Sequence, residues 1–204
     1  VTLGLFRLPL GAALTTTASQ LNLLDRPLYV SSMSVSSSRD VGVMLSSAEE
    51  GFGDRARFHY RLSVTDGNGP LFEARTRHVR DFADLLFVGR AMLDVGRLVS
   101  SRTRIAVAAT AAWTEDAAQS PESDLADRQR LGRSLVPFEH DHQTLLTGID
   151  FTLIHAGFFL QTEGMWLRSQ TIDGAQTYQS VGASLELAYT SRLVGGVLIQ
   201  PALR

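Results

Sequence analysis

The chain contains no cysteine and no lysine; all 19 of its Lys-plus-Arg residues are arginine. Without thiols there is neither a disulfide framework nor a thiolate metal site. The missing lysine has two readings: a GC-rich coding sequence, or a surface that uses permanently charged, bidentate anion ligands. No run approaches about 18 uninterrupted apolar residues, which excludes a membrane-spanning helix. The formal charge of −2 gives no global basicity that would point to nucleic acid. Neither a GxSxG elbow nor an HExxH pairing occurs, so an enzyme signature is missing as well. The opening VTLGLFRLPLG lacks the charged start and small-residue cleavage site of a signal peptide. It begins in a strand-like pattern without an initiator Met, and reads as a mature protein or a segment of a longer one.

What is present is alternation. In RARFHYRLSV, residues 55–64, the odd positions Arg55, Arg57, His59, Arg61 and Ser63 are polar, and the even positions Ala56, Phe58, Tyr60, Leu62 and Val64 are apolar. A period of 2 predicts a strand with one basic and one oily face. The same parity recurs along the chain. Val41, Val43 and Leu45 alternate with Asp40, Gly42 and Met44. Leu85, Phe87, Leu93 and Val95 oppose Arg90 and Asp94. Ile105, Val107 and Trp113 oppose Arg104, Ala106 and Thr110. Leu145, Ile149, Phe151 and Leu153 oppose Gly148, Asp150 and Thr152. After a tight HAG turn at 155–157, Phe158, Leu160 and Trp166 oppose Gln161, Glu163 and Ser169. Val181, Leu185, Leu187 and Tyr189 face away from Gly182, Ser184 and Glu186.

This predicts roughly eight or nine strands of about 9–13 residues, longer than the usual 5–6 and long enough for a tilted crossing of a bilayer. Two connections are long and polar, 11–38 (with a possible turn of helix at SQLNLLDR) and 114–140. Long loops at one end and short turns at the other are the layout of outer-membrane barrels. The polar positions are dominated by small residues and arginine, as suits an open lumen. Trp113, Tyr60, Trp166 and Tyr189 on the oily face read as interfacial girdles.

The order GLFRLPLG, SSRDVGVML, FHYRLSVTDGNG, FADLLFVGRAMLDVG and FFLQTEGMWLR resembles the phosphate-selective porin O and P family of bacterial outer-membrane channels. The most specific pieces are Arg39-Asp40-Val41-Gly42-Val43 and the hairpin from Tyr60 to Gly69. The resemblance implies an all-β, antiparallel transmembrane β-barrel, with residues 1–204 as one domain supplying about half of a barrel of about sixteen strands. It also implies passive diffusion of small anions, phosphate-like ones among them, and contact with the lipid bilayer and lipopolysaccharide of the bacterial outer membrane. A homotrimer or another envelope protein follows as partner, nucleic acid does not, and no cofactor is called for. Family selectivity is attributed to arginine ladders and constriction lysines; with no lysine here, the implication narrows to anion preference.

The residues expected to line the pore are Arg55, Arg57, His59, Arg61, Arg90 and Arg104. The alternative for this row is pairing with Asp40, Glu163 or Glu186, which would stiffen the wall instead of serving ions. Glu139, His140, Asp141 and His142 have metal-binding chemistry, yet consecutive strand residues point to opposite faces, so a solvated loop edge is the plainer reading. The acidic run from Glu115 to Asp127 reads as an extracellular loop, and DGNG at 66–69 as a hairpin turn rather than an anion nest. Two rival functions remain: a barrel acting as a structural anchor with its lumen plugged, and a soluble β-rich binding domain.

Overall fold

The computed structural model describes residues 1–12, 39–47, 51–52, 56–65, 85–95, 102–116, 142–192, 198–199 and 202–203. Its strands are β1 (Thr2–Arg7), β2 (Arg39–Ser46), β3 (Gly51–Phe52), β4 (Ala56–Thr65), β5 (Leu86–Asp94), β6 (Thr103–Asp116), β7 (His142–His155), β8 (Phe158–Thr171), β9 (Thr177–Tyr189), β10 (Ser191–Arg192), β11 (Leu198–Ile199) and β12 (Ala202–Leu203). One antiparallel sheet takes them in the order β1-β2-β4-β5-β6-β7-β8-β9-β12, with β3 laid against β4; β10 and β11 form a separate pair. The long strands thus form an up-and-down meander. Its edges, β1 and β12, are not paired with each other among the described residues, so the sheet is open. Among those residues no helix is long and apolar enough to cross a membrane.

A meander sends successive connections to alternate ends. Those at one end span 8–38, 66–85, 117–141 and 172–176; those at the other span 47–55, 95–102 and 156–157. The shortest is the expected HAG turn. Ala156 and Gly157 both take positive φ, 47° and 89°, the combination whose twist matches that of the flanking strands. The Thr103 hydroxyl, 2.8 Å from His155 Nδ1, and Thr190 N–H, donating to the Gly157 carbonyl at 2.8 Å, hold that end. β6 runs three residues into the stretch read from sequence as the loop 114–140. Thr114 is buried and registers with Leu86 and Thr144, so alternation continues to Asp116 through a β-branched polar residue that hydropathy alone marks as loop. The DGNG turn, the acidic residues beyond Asp116 and Glu139 to Asp141 lie outside the described residues.

The two faces sort as parity demands. Val43, Val64, Phe87, Trp113 and Leu145 follow one another across the sheet, as do Phe58, Leu93, Val107, Phe151, Thr162 and Leu185. Among the described residues much of this face is exposed, with Ile149 61% and Val181 78% exposed. Of the expected girdle residues, Trp113 and Tyr189 sit near strand ends, with Trp113 beside Phe87 at 5.7 Å between ring centroids. Tyr60 and Trp166 lie mid-strand instead, because their registers place them beside Ala91 and Thr147 rather than at a turn.

The other face holds the core. Leu86, Val88, Ala112, Leu146, Met165 and Leu167 occupy positions of the parity expected to face water, and they pack with Phe6, Leu8 and Leu10. After β1, Pro9 cannot donate a ladder hydrogen bond and Gly11 takes φ +69°, so the chain leaves the sheet. Residues 8–12 then fold onto this face, where Leu10 is wholly buried. Burying Leu8 and Leu10 contributes about 1.5–3 kcal/mol apiece as transfer from water. Beside this core the hydroxyls of Ser63 and Thr65 are buried without a hydrogen-bond partner among the described residues. An unsatisfied buried hydroxyl costs about 1–3 kcal/mol. Ser63→Ala and Thr65→Val are therefore expected to leave stability unchanged or raise it by about 1 kcal/mol, read as a higher denaturation midpoint; a clear fall would reveal a hidden partner.

Candidate polar wall

Three rows of cross-strand neighbours run across the polar face below this core. The first is Arg57, Asp94, Ala106, Thr152, Gln161 and Glu186; the second is His59, Met92, Ala108, Asp150, Glu163 and Ser184; the third is Arg61, Arg90, Thr110, Gly148, Met165 and Gly182. Residues directly opposed in such rows have Cβ atoms about 4.5–5.5 Å apart, so like charges there repel unless each finds another partner. The wall contains two conflicts of this kind, Arg61 opposite Arg90 and Asp150 opposite Glu163.

One ion pair relieves both. Arg90 reaches past β6 to Asp150, its two guanidinium nitrogens donating to the two carboxylate oxygens at 2.6 and 2.9 Å, and one of them also to the Thr110 hydroxyl at 3.1 Å. The β6 residue opposite Asp150 is the small Ala108. The Arg90 and Asp150 side chains are 9% and 6% exposed, and the fork geometry makes this a strong, oriented bond. Glu163 meets a different donor: the backbone N–H of Ala12, at 3.1 Å from its Oε1. The Gly11 N–H points to the Thr110 hydroxyl at a longer 3.4 Å. A Cβ on Gly11 would overlap Glu163 Oε1 and the Met165 methyl, the ends of two flexible side chains, and the φ of +69° there favours glycine.

The six arginine-row positions separate accordingly. Arg57, His59, Arg61, Arg90 and Arg104 all stand on the polar face, and Arg55 lies outside the described residues. Arg90 is bound to Asp150, and Arg104 donates to Asp94 at 2.8 Å with its own side chain 53% exposed. Arg57, His59 and Arg61 make no hydrogen bond or ion pair among the described residues, and Arg61 is exposed. Asp40, Asp150, Glu163 and Glu186 are all buried. Among the described residues of the wall, Arg61 and Arg104 are exposed, whereas Asp150, Glu163 and Glu186 are buried, and so is most of the Arg90 side chain. Of the carboxylates offered as alternative partners, none is paired with Arg57, His59 or Arg61. The partners of Arg90 and Arg104 were invisible to the sequence because they depend on register, which places Asp150 and Asp94 within reach. The seating of residues 8–12 had a local signal, Pro9 and Gly11 ending the first strand.

Among the described residues no group of three or more His, Asp or Glu side chains could hold a metal ion. Comparison of the chain with protein-family models, with curated proteins and with solved structures finds no match.

Proposed function

We propose that this chain forms part of an outer-membrane β-barrel of the phosphate-selective porin O and P type, through which small anions diffuse passively. The observation that carries this reading is the division of one long-stranded meander into an apolar face that is largely exposed among the described residues and a face whose solvent-exposed charges include arginines. Soluble monomers rarely expose contiguous apolar patches beyond a few hundred Å², whereas lipid requires one. β6, β7, β8 and β9 have 13 or 14 residues each, more than the about 9–11 that a tilted crossing needs. Long connections at one end and shorter ones at the other fit the same picture.

In that setting Arg57 and Arg61 lie about 13–14 Å apart along β4, with His59 between them, and an oxyanion could pass from one to the other. Replacing both with Gln and measuring reversal potential across a planar bilayer in a salt gradient tests this role. The expected result is a loss of anion preference with conductance retained; an unchanged reversal potential would remove these arginines from the permeation path.

Residues 8–12, seated on the polar face, favour a second reading, a barrel obstructed by its own chain that serves as an anchor in the envelope. Single-channel recording separates the two, since an obstructed anchor conducts no ions. A protein that stays monodisperse without detergent would sink both.

A further inference from the structure

The apolar face changes character toward the end that carries the turn at 172–176. There the register sets Glu115, Gln143, Gln170 and Thr177 in one row, and Trp113, Leu145, Arg168 and Gln179 in the next. Arg168 is exposed, and its guanidinium donates to Gln170 Oε1 at 2.8 Å. From Phe158 to Arg168 the strand rises about 33 Å, or about 25 Å once tilted by about 40°, the height of the apolar band of a membrane barrel. Arg168 therefore stands where hydrocarbon would give way to headgroups.

Beside it the face is indented. Gly89 and Ala111, directly opposed across β5 and β6, floor a groove of about 460 Å³ walled by Leu62, Phe87, Trp113 and Leu145. That volume falls among small-ligand sites, about 300–1,000 Å³. Leu145, at one end, is the register partner of Arg168. By strand spacing and rise Gly89 lies about 16 Å from Arg168, close to the about 15 Å depth of hydrocarbon in one leaflet. A cation at the mouth of an apolar groove matches a molecule with an anionic head and a hydrocarbon tail. Glu115 on the same band is about 12 Å from Arg168 by the same measure, and Asp173 Oδ1 accepts the Ala175 N–H in the turn beyond. Neither carboxylate stands opposite Arg168 in register.

We propose that Arg168 and this groove form a binding site for one anionic phospholipid, with its phosphate on the guanidinium and an acyl chain over Gly89 and Ala111. Arginine holds phosphate through two parallel hydrogen bonds. The amide of Gln179, exposed and opposite Arg168 in register, adds a donor at the same level. The proposal rests on the outer-membrane reading above and gives the surrounding lipid one ordered member.

Trp113 lines the groove and the chain has 2 tryptophans, so in a Trp166→Phe background tryptophan fluorescence reports the occupant. The test reconstitutes the full chain in vesicles of phosphatidylcholine mixed with phosphatidylglycerol, with bromine on the acyl chains of one lipid or of the other. Brominated phosphatidylglycerol is expected to quench Trp113 with about fivefold higher apparent affinity than brominated phosphatidylcholine, the effect of one cationic residue at an anionic lipid surface. Arg168→Gln should abolish that difference, and Gly89→Leu, which fills the floor of the groove, should abolish it too. Equal quenching by the two lipids before either change overturns the proposal, as does a preference that survives Arg168→Gln or Gly89→Leu. In those cases the membrane reading stands, because both brominated lipids still reach Trp113. Quenching by neither lipid would overturn that reading and this inference with it.

Discussion

Ile149→Arg is expected to destabilise the lipid-reconstituted protein by about 2–4 kcal/mol, the cost of arginine on the lipid face of a membrane barrel near its midplane. The position is chosen for steric neutrality. Ile149 is 61% exposed, lies midway along β7, and is flanked in register by Ala109 and Gly164, so a longer side chain meets no obstacle from its neighbours. In water the same change, on an exposed strand position, should stay within about 0.5 kcal/mol. Denaturant titration of the variant in vesicles measures the difference directly. A change near zero would mean that the apolar face is not lipid-facing, whatever its composition.

Arg90→Ala is expected to cost about 3–5 kcal/mol, because it leaves Asp150 buried and unpaired. The penalty is sharpened by register: Glu163 is directly opposite Asp150, so losing the guanidinium restores a repulsion between neighbouring carboxyl groups. If the loss comes from the stranded carboxylate rather than from the missing arginine stem, Arg90→Met combined with Asp150→Leu should recover most of it. Unfolding midpoints of the two variants decide this, and a double variant as weak as the single one would place the effect in packing. Arg104 makes the useful contrast. Its bond to Asp94 is at the surface, with the arginine side chain 53% exposed, and Arg104→Gln should cost no more than about 1 kcal/mol.

The parity of RARFHYRLSV placed Arg57, His59 and Arg61 on one face and Phe58, Tyr60, Leu62 and Val64 on the other, and β4 has that arrangement. Period-2 patterning is legible because it depends only on where successive Cβ atoms point. The partners of the charged residues were not legible. Arg90 finds Asp150, 60 residues away and two strands over, through a register fixed jointly by β6 and β7. Alternation puts Leu86, Val88, Leu146 and Leu167 on the polar face by parity, but it does not show what covers them there. That cover is Leu8 and Leu10, and only their three-dimensional placement explains why so many leucines share a face with arginine.

The two-residue turn at Ala156 and Gly157 bears on how the sheet is assembled. It joins β7 to β8 in unbroken register, from His155 opposite Phe158 out to His142 opposite Thr171. Closing so short a loop requires little chain entropy to be lost before pairing begins, and hairpins of this kind form in about 1–10 μs. The neighbouring turn at 172–176 then brings β9 onto β8, with Gly174 N–H donating to the Thr171 carbonyl at 2.9 Å and Thr171 N–H to the Gln176 carbonyl at 3.0 Å. β7 to β9 form the segment of lowest contact order in the long meander, whereas the pairing of β1 with β2 must wait for the connection 8–38 to close. Leu8, Leu10 and the Ala12 N–H belong to that late step, so the meander β7 to β9 is expected to form as a template before the segment that covers it arrives.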